Sequence, residues 1–253
     1  MKEFAHHGPC PECGSRDNLG TWTDGQQYCF GCGYHVRGEN ETSIESMKAR
    51  TSQLQQEEKS PSDSSSTLCL PSDYSRSLPI DPTRWLTRYG ISKGERIKHR
   101  IGWSDKYESL VFPVFDVHNN LLLVQRRYFG NGKWPKYHTK GKPETLIHVV
   151  GDTDDDVGIL VEDLISAIKV GRHFDAVPLW GSHLSNEKIK QLSHRFAKLI
   201  LWLDRDKAKE AVKYKWRASP FFEKVSIIVS EKDPKEYNDD AILDFVTPNT
   251  QAI

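Results

Sequence analysis

Four of the chain's five cysteines fall within its first 32 residues, as Cys10-x-x-Cys13 and Cys29-x-x-Cys32 with fifteen residues between the pairs. No other feature limits the fold as tightly. Each pair runs into a glycine, Gly14 and Gly33, so each offers two sulfurs from a tight turn. Two such turns facing each other form a tetrahedral four-sulfur cage, which suits zinc. The intervening LGTWTDGQQYCF carries the turn Asp24-Gly25 between two strand-like runs, as a zinc ribbon requires. Residues 1–40 hold too few aliphatic side chains for a core of their own, so the metal is the staple that folds them. An odd cysteine total with two close pairs argues for a reducing compartment and against a disulfide framework. Cys69 is left as a free thiol. A closed four-sulfur site does no chemistry itself. The side chains such a ribbon would present to a partner are Trp22, Asp24, Gln26, Tyr28 and Arg37.

Composition divides the rest. Residues 41–68 hold eight serines in 28 positions and no aromatic, the make-up of a flexible linker. Such a linker spans on the order of 30 Å, enough for the ribbon to visit an active site on its own chain or on a neighbouring subunit. The whole chain is balanced at 35 Lys and Arg against 35 Asp and Glu, yet residues 69–150 carry fourteen basic side chains against seven acidic ones. Trp85, Trp103, Tyr128, Phe129, Trp134 and Tyr137 are interleaved with them. This basic lobe reads as α+β, helical first, then strands at Leu110–Asp116 and Leu121–Phe129 joined by the turn HNN. From residue 151 the short apolar runs GILV, AVPLW, LILWL and VSIIV alternate with helical stretches at Asp163–Arg172, after Ser185, at Lys207–Ala218 and at Glu236–Phe245. That rhythm predicts a parallel sheet with helices packed on it. The expected architecture is therefore α/β: a zinc ribbon (1–40), a linker (41–68), a basic lobe (69–150) and a parallel-sheet domain (151–253). No apolar run approaches the ~18 residues of a membrane span, and MKEFAHHGPC lacks a signal-peptide core. The expectation is a cytoplasmic protein, in the host cytoplasm for a viral chain.

Glu162 directly follows GILV, and Asp204 and Asp206 follow LILWL. In open α/β sheets ligands bind beyond the carboxyl ends of the strands, and period-two alternation sends Asp204 and Asp206 to one side. Acids gathered there need a positive charge among them, and hard divalent cations such as Mg²⁺ or Mn²⁺ take oxygen ligands and leave room for phosphate. Lys232, Asp233 and Glu236 lie past the fourth strand, on the same sheet edge. The acidic run GDTDDDVG is not a calcium loop, because Val157 stands where the sharp turn needs glycine.

These residues resemble the bacterial-type DNA primases, most closely the primase half of the T-odd phage primase–helicases. The resemblance covers nearly the whole chain: ribbon, linker, basic lobe and the catalytic domain called TOPRIM. Its signature, a Glu after one strand and Asp-x-Asp after another, is matched by LVED (Glu162) and WLDRDKA (Asp204, Asp206). KDPKE resembles the family's Lys-Asp-x-x-Glu stretch, and KYHTKGKPETLI the loop before the TOPRIM sheet. Two departures stand out. The family writes its first motif Glu-Gly-x-x-Asp, whereas here Asp163 replaces the glycine and Ser166 the second acid. The chain also lacks a Gly-x-x-x-x-Gly-Lys-Ser/Thr loop, so no helicase motor is expected in it.

The resemblance implies synthesis of short RNA primers on single-stranded DNA during replication, a nucleotidyl transfer in which a ribonucleotide 3′-hydroxyl attacks the α-phosphate of the next triphosphate and expels pyrophosphate. It implies catalytic Glu162, Asp204 and Asp206, with Asp233 beside them, holding Mg²⁺ or Mn²⁺, and one structural zinc at the cysteines. Arg126, Arg127, Lys133, Lys136 and Lys232 are the candidates for triphosphate or template contacts, and Asp24 and Gln26 for template contacts from the ribbon. The implied partners are single-stranded DNA, ribonucleoside triphosphates, a replicative helicase and a DNA polymerase. Two alternatives compete. One is another TOPRIM activity, a nuclease or topoisomerase, although a topoisomerase needs a tyrosine nucleophile and a larger body. The other is a catalytically weak or inactive module that recognises DNA or recruits a helicase, which the altered first motif keeps open.

Overall fold

The computed structural model describes residues 3–36, 68–132, 135–153, 155–181 and 183–251. The expected linker, Arg37, Lys133 and Trp134 lie outside them. The chain divides into two units, Met1–Ser66 and Thr67–Ile253.

In the first unit, strands β1 (Phe4–Gly8), β2 (Leu19–Trp22), β3 (Gln27–Cys29) and β4 (His35–Val36) form one antiparallel sheet in sequence order. The Asp24-Gly25 turn joins β2 to β3. Gly25 sits at φ +79°, a conformation open to glycine at no steric cost, and the Asp24 carboxylate accepts from the Gln26 amide at 3.0 Å. The buried core among the described residues is Cys10, Leu19 and Cys29. Two of the three are cysteines, so the sulfurs are the core.

The second unit carries two sheets. Helices α1 (Ile80–Arg88) and α2 (Lys93–Lys98) precede an antiparallel sheet of β5 (Gly102–Ser104), β6 (Ser109–Phe115), β7 (Leu121–Tyr128) and β8 (Tyr137–Gly141), ordered β5-β6-β7-β8. Helix α2 starts at a capping box, the Ser92 hydroxyl accepting from the Glu95 amide while Glu95 takes the Ser92 amide. The HNN turn is built on Asp116, whose carboxylate accepts from the amides of His118 and Asn120 at 2.9 and 2.7 Å. The stretch expected to be a loop, KYHTKG, is instead mostly edge strand β8. Its side chains show no apolar alternation, because one of its two long edges has no strand partner and it buries little.

Strands β9 (Val157–Val161), β10 (Asp175–Pro178), β11 (Lys198–Leu201) and β12 (Lys224–Ile227) form the second sheet, all parallel, ordered β10-β9-β11-β12. Helices α3 (Leu164–Val170), α4 (Asn186–Ser193), α5 (Ala208–Ala218) and α6 (Asp239–Gln251) alternate with them. Ser185 caps α4 as expected, accepting from the Lys188 amide at 3.0 Å. The last helix begins three residues later than expected, since Pro234–Glu236 closes first into a separate 3-10 turn.

Both faces of the parallel sheet are buried, as parallel sheets require. Ile159, Val161, Ile200 and Trp202 share one cluster with Phe112, Leu123 and Leu86 of the antiparallel lobe. Leu160, Leu199 and Leu201 pack with Ile189, Leu192 and Tyr214 of the helices on the other face. Arg172, just past α3, ties the layers together: it donates to Glu95 at 2.7 Å, Asp239 at 2.8 Å and the Gly90 carbonyl at 2.8 Å. No helix among the described residues is long and apolar enough to cross a membrane.

Candidate metal centre and active site

The cysteine pairs meet as their spacing predicts. Cys10 Sγ lies 3.7 Å from Cys32 Sγ, and Cys13 Sγ 3.7 Å from Cys29 Sγ. All four sulfurs lie within 4.8 Å of one another, and none is in a disulfide. A tetrahedron with Zn–S bonds of ~2.3 Å has edges of about 3.8 Å, so the donor set and its spacing fit zinc. Among the described residues no other three His, Cys, Asp or Glu side chains bring ligand atoms so close.

The ribbon's expected contact residues are partly engaged within it. Asp24 holds its own turn, and the Gln26 amide shares a 2.9 Å hydrogen bond with the His35 imidazole. Trp22 packs edge-on to Phe4 at 5.8 Å and Tyr28 edge-on to Phe30 at 5.2 Å. Phe4, Tyr28 and Phe30 are exposed, so the ribbon displays an aromatic face of which the sequence reading had only Trp22 and Tyr28.

The second site lies where the parallel sheet reverses direction. The chain leaves β9 towards β10 on one side and later returns to place β11 on the other. A crevice opens beyond the carboxyl ends at such a switch point. The first residue past β9 is Glu162, and β11 is followed by Asp204. In register, Leu201 faces Leu160 and the Trp202 amide donates to the Leu160 carbonyl at 2.9 Å. That pairing carries Asp204 to Glu162, and the Asp204 amide donates to Glu162 Oε1 at 3.2 Å.

Both carboxylates line a cavity of about 390 Å³, together with Asp163, Asp233, Lys235, Arg127, Lys136 and the aromatic side chains Trp85, Tyr89, Tyr137 and Trp180. Lys235 Nζ sits among three acids, 2.9 Å from Asp163, 2.9 Å from Asp233 and 3.3 Å from Asp204. Burial pushes Glu162 up to about 7, with Asp206 and Asp163 adding to the rise. Burial also pushes Asp204 up to about 8, Lys235 pulling it down while Glu162, Asp163 and Asp233 raise it. Lys235 stays above the ordinary lysine range, since Asp163 and Asp204 outweigh the burial that opposes its charge. Asp204 Oδ1 is buried without a hydrogen-bond partner. An orphaned carboxyl oxygen beside a second raised carboxyl group is what a hard cation would relieve.

The expected residues distribute unevenly. Glu162, Asp204 and Asp233 reach the cavity. Asp206 does not line it: its side chain is 77% exposed and lies 3.9 Å from Lys207. Arg126 and Arg127 separate, because neighbours on a strand face opposite ways. Arg127 shares the cavity face of β7 with Gln125, stacks 4.0 Å over Trp85, and donates to the Tyr137 hydroxyl at 3.2 Å. Arg126 lies 3.8 Å over Tyr107 on the other face. Lys136 lines the cavity, whereas Lys232 is exposed away from it. Ser166, standing where the resemblance places a second acid, is fully buried and does not line the cavity. Asp163 caps α3, accepting from the Ser166 amide at 2.8 Å. Lys235, Asp163, Tyr137 and Trp180 are site residues the sequence reading missed. Trp180 carries φ +60°, uncommon outside glycine, and its indole N–H is buried and unpartnered at the cavity wall.

This arrangement of a four-cysteine ribbon-like unit, mixed α/β lobes and a parallel sheet with acids at its switch point shares its fold with solved primase structures. The chain is similar to the zinc-binding and RNA polymerase domains of the Aquifex aeolicus primase, with 14% identity, a TM-score of 0.57, and coverage of 98% of this chain and 78% of that one. It is similar to the primase fragment of the bacteriophage T7 primase–helicase, with 19% identity, a TM-score of 0.52, and coverage of 97% and 99%. It is also similar to the E. coli primase catalytic core, with 15% identity, a TM-score of 0.51, and coverage of 67% and 72%. The bacterial structure superposes at least as well as the phage one, so the expected lean towards the phage branch gives way to a fold shared with both. No family model matches the sequence, and no curated protein does.

Proposed function

We propose that this protein is a DNA primase, joining ribonucleotides on single-stranded DNA at the crevice between β9 and β11. The observation that carries this reading is the meeting of Glu162 and Asp204 at the sheet's switch point, inside a cavity faced by Arg127 and Lys136. Its volume of about 390 Å³ falls among small-molecule pockets, roughly 300–1,000 Å³.

Glu162 and Asp204 would hold Mg²⁺ or Mn²⁺, while Asp206 stands outside the cavity. A divalent cation there supplies charge stabilisation at the transferring phosphoryl group. The chain's own residues do the positioning. Arg127, fixed by Trp85 and the Tyr137 hydroxyl, presents a planar fork that matches phosphate oxygens. Lys136 adds a second positive charge on the same wall. The Trp180 indole N–H offers a donor to a substrate oxygen, and Trp85 and Tyr89 offer ring faces for a base. The zinc-bound ribbon would read the template, its aromatic face at Trp22, Tyr28 and Phe30 stacking on bases. A replicative helicase and a DNA polymerase are the partners this activity would serve.

The test is incubation with single-stranded DNA, ribonucleoside triphosphates and Mg²⁺ or Mn²⁺. Short RNA products lost in Asp204→Ala are expected. No product on a random template library, with the metal sites loaded, would remove the polymerase assignment.

A further inference from the structure

The carboxylate oxygens of the acidic cavity are not equally available. Asp163 uses one oxygen to cap α3 and the other to bind Lys235. The Asp233 carbonyl accepts from the Glu236 amide at 2.9 Å, and its carboxylate binds Lys235 at 2.9 Å. Asp204 gives Oδ2 to Lys235, leaving Oδ1 buried and unpartnered. Glu162 accepts only the Asp204 amide among the described residues. At the sheet's switch point the acceptors that Lys235 leaves open are therefore Glu162 and Asp204 Oδ1. One oxygen each of Asp163, Asp204 and Asp233 meets a single ammonium whose side chain is 11% exposed.

We propose that Lys235 is a built-in counter-ion that takes the place of a divalent cation, so that the cavity accepts one such ion, at Glu162 and Asp204, rather than two. This rests on the polymerase reading for its purpose but not for its test. An ammonium is a compact point charge with three donors, and here it has three carboxylates to meet. It is carried by a turn locked by its own capping box and by Pro234, which is buried. Unlike a bound ion it cannot dissociate, so it holds Asp163 and Asp233 neutralised at any metal concentration. The acid at position 163 belongs to the same device: it anchors Lys235 from the β9 side while no acid stands at position 166.

The readout is Mn²⁺ bound per zinc-loaded full-length chain, followed by electron paramagnetic resonance and calorimetry. Cavity ions are those abolished by Asp204→Asn. The wild type is expected to hold one. Lys235→Met, which keeps length and removes charge, should hold two, or bind the first at least tenfold more tightly, and its Tm should rise more on adding Mn²⁺. Lys235→Arg should stay at one. Two cavity ions in the wild type, or none, overturn the proposal, as does an unchanged count and affinity in a folded Lys235→Met. If that variant does not fold, the wild-type count alone decides. Counts of one and two in a chain that makes no RNA would leave this inference standing and remove the polymerase reading. RNA synthesis with equal counts would do the reverse.

Discussion

The Asp204 amide donates to Glu162 Oε1 at 3.2 Å, across the one boundary in the parallel sheet where strand order reverses. A backbone amide on one strand exit thus fixes the carboxylate on the other, so the pair is set by sheet register rather than by loop conformation. Asp204→Ala and Glu162→Ala should each lower primer synthesis at least a hundredfold, ~2.7 kcal/mol of barrier. Asp206→Ala, whose side chain stands outside the cavity, should cost less than either. A primer assay under saturating nucleotide checks this, and equal losses at all three positions would contradict the placement.

Arg127 and Arg126 are adjacent in sequence and opposed in space. On the proposed reading Arg127→Met should raise the KM for nucleotide about tenfold or more, since a cavity-facing guanidinium and its fixed orientation are both lost. Arg126→Met should leave it within twofold. Steady-state kinetics on both variants separates the faces, and a larger effect at Arg126 would reverse the assignment.

Two imidazoles make stability depend on acid. Burial pushes His148, stacked on Trp180 at 5.7 Å, down to about 4, and His99 likewise to about 4, from 6.5. At these two groups the unfolded chain binds more protons between those values, so their own contribution is full above pH 6.5 and is lost as pH drops towards 4, while Glu162 and Asp204, raised to about 7 and about 8, act in the opposite direction. Each contributes up to about 3 kcal/mol. His148→Phe keeps a ring against Trp180 and removes one of the acid-sensitive contributions, so its Tm relative to wild type should rise as pH falls from 6.5 to 4. An unchanged profile would show that His148 is not held neutral.

Zinc should bind at one ion per chain, and Cys29→Ser should abolish it, because Cys29 is fully buried and accepts from the Gly31 amide at 3.4 Å. Cobalt substitution should give the intense absorption of a tetrahedral tetrathiolate. In Cys29→Ser, untemplated or non-selective joining should persist while start-site choice is lost. Retained selectivity in the metal-free variant would remove the ribbon from template reading.

What could be read from sequence follows the range of the forces involved. The cysteine cage was legible because its spacing is local and its chemistry admits few geometries. The four parallel strands were legible because both-face burial leaves uninterrupted apolar runs. Asp206 was placed with Asp204 by extending the strand's alternation, but the strand ends at Leu201 and the chain turns into a 3-10 helix at Arg205–Lys207, which breaks the period. Lys235 escaped for a different reason. Its partners lie 72, 31 and 2 residues away, and nothing in the local pattern separates it from Lys232, which looks equally placed and points elsewhere. Strand β8 escaped because its polar side chains lack the apolar alternation that marks a half-buried strand.

The two sheets of the second unit share side chains in one uninterrupted cluster, from Leu86 and Phe112 to Ile159 and Trp202. Arg172 adds hydrogen bonds from the end of α3 to Glu95 and Asp239. Among the described residues the walls of the crevice therefore draw on one packed core, so a substitution in either sheet's share of that core reaches the shape of the cavity.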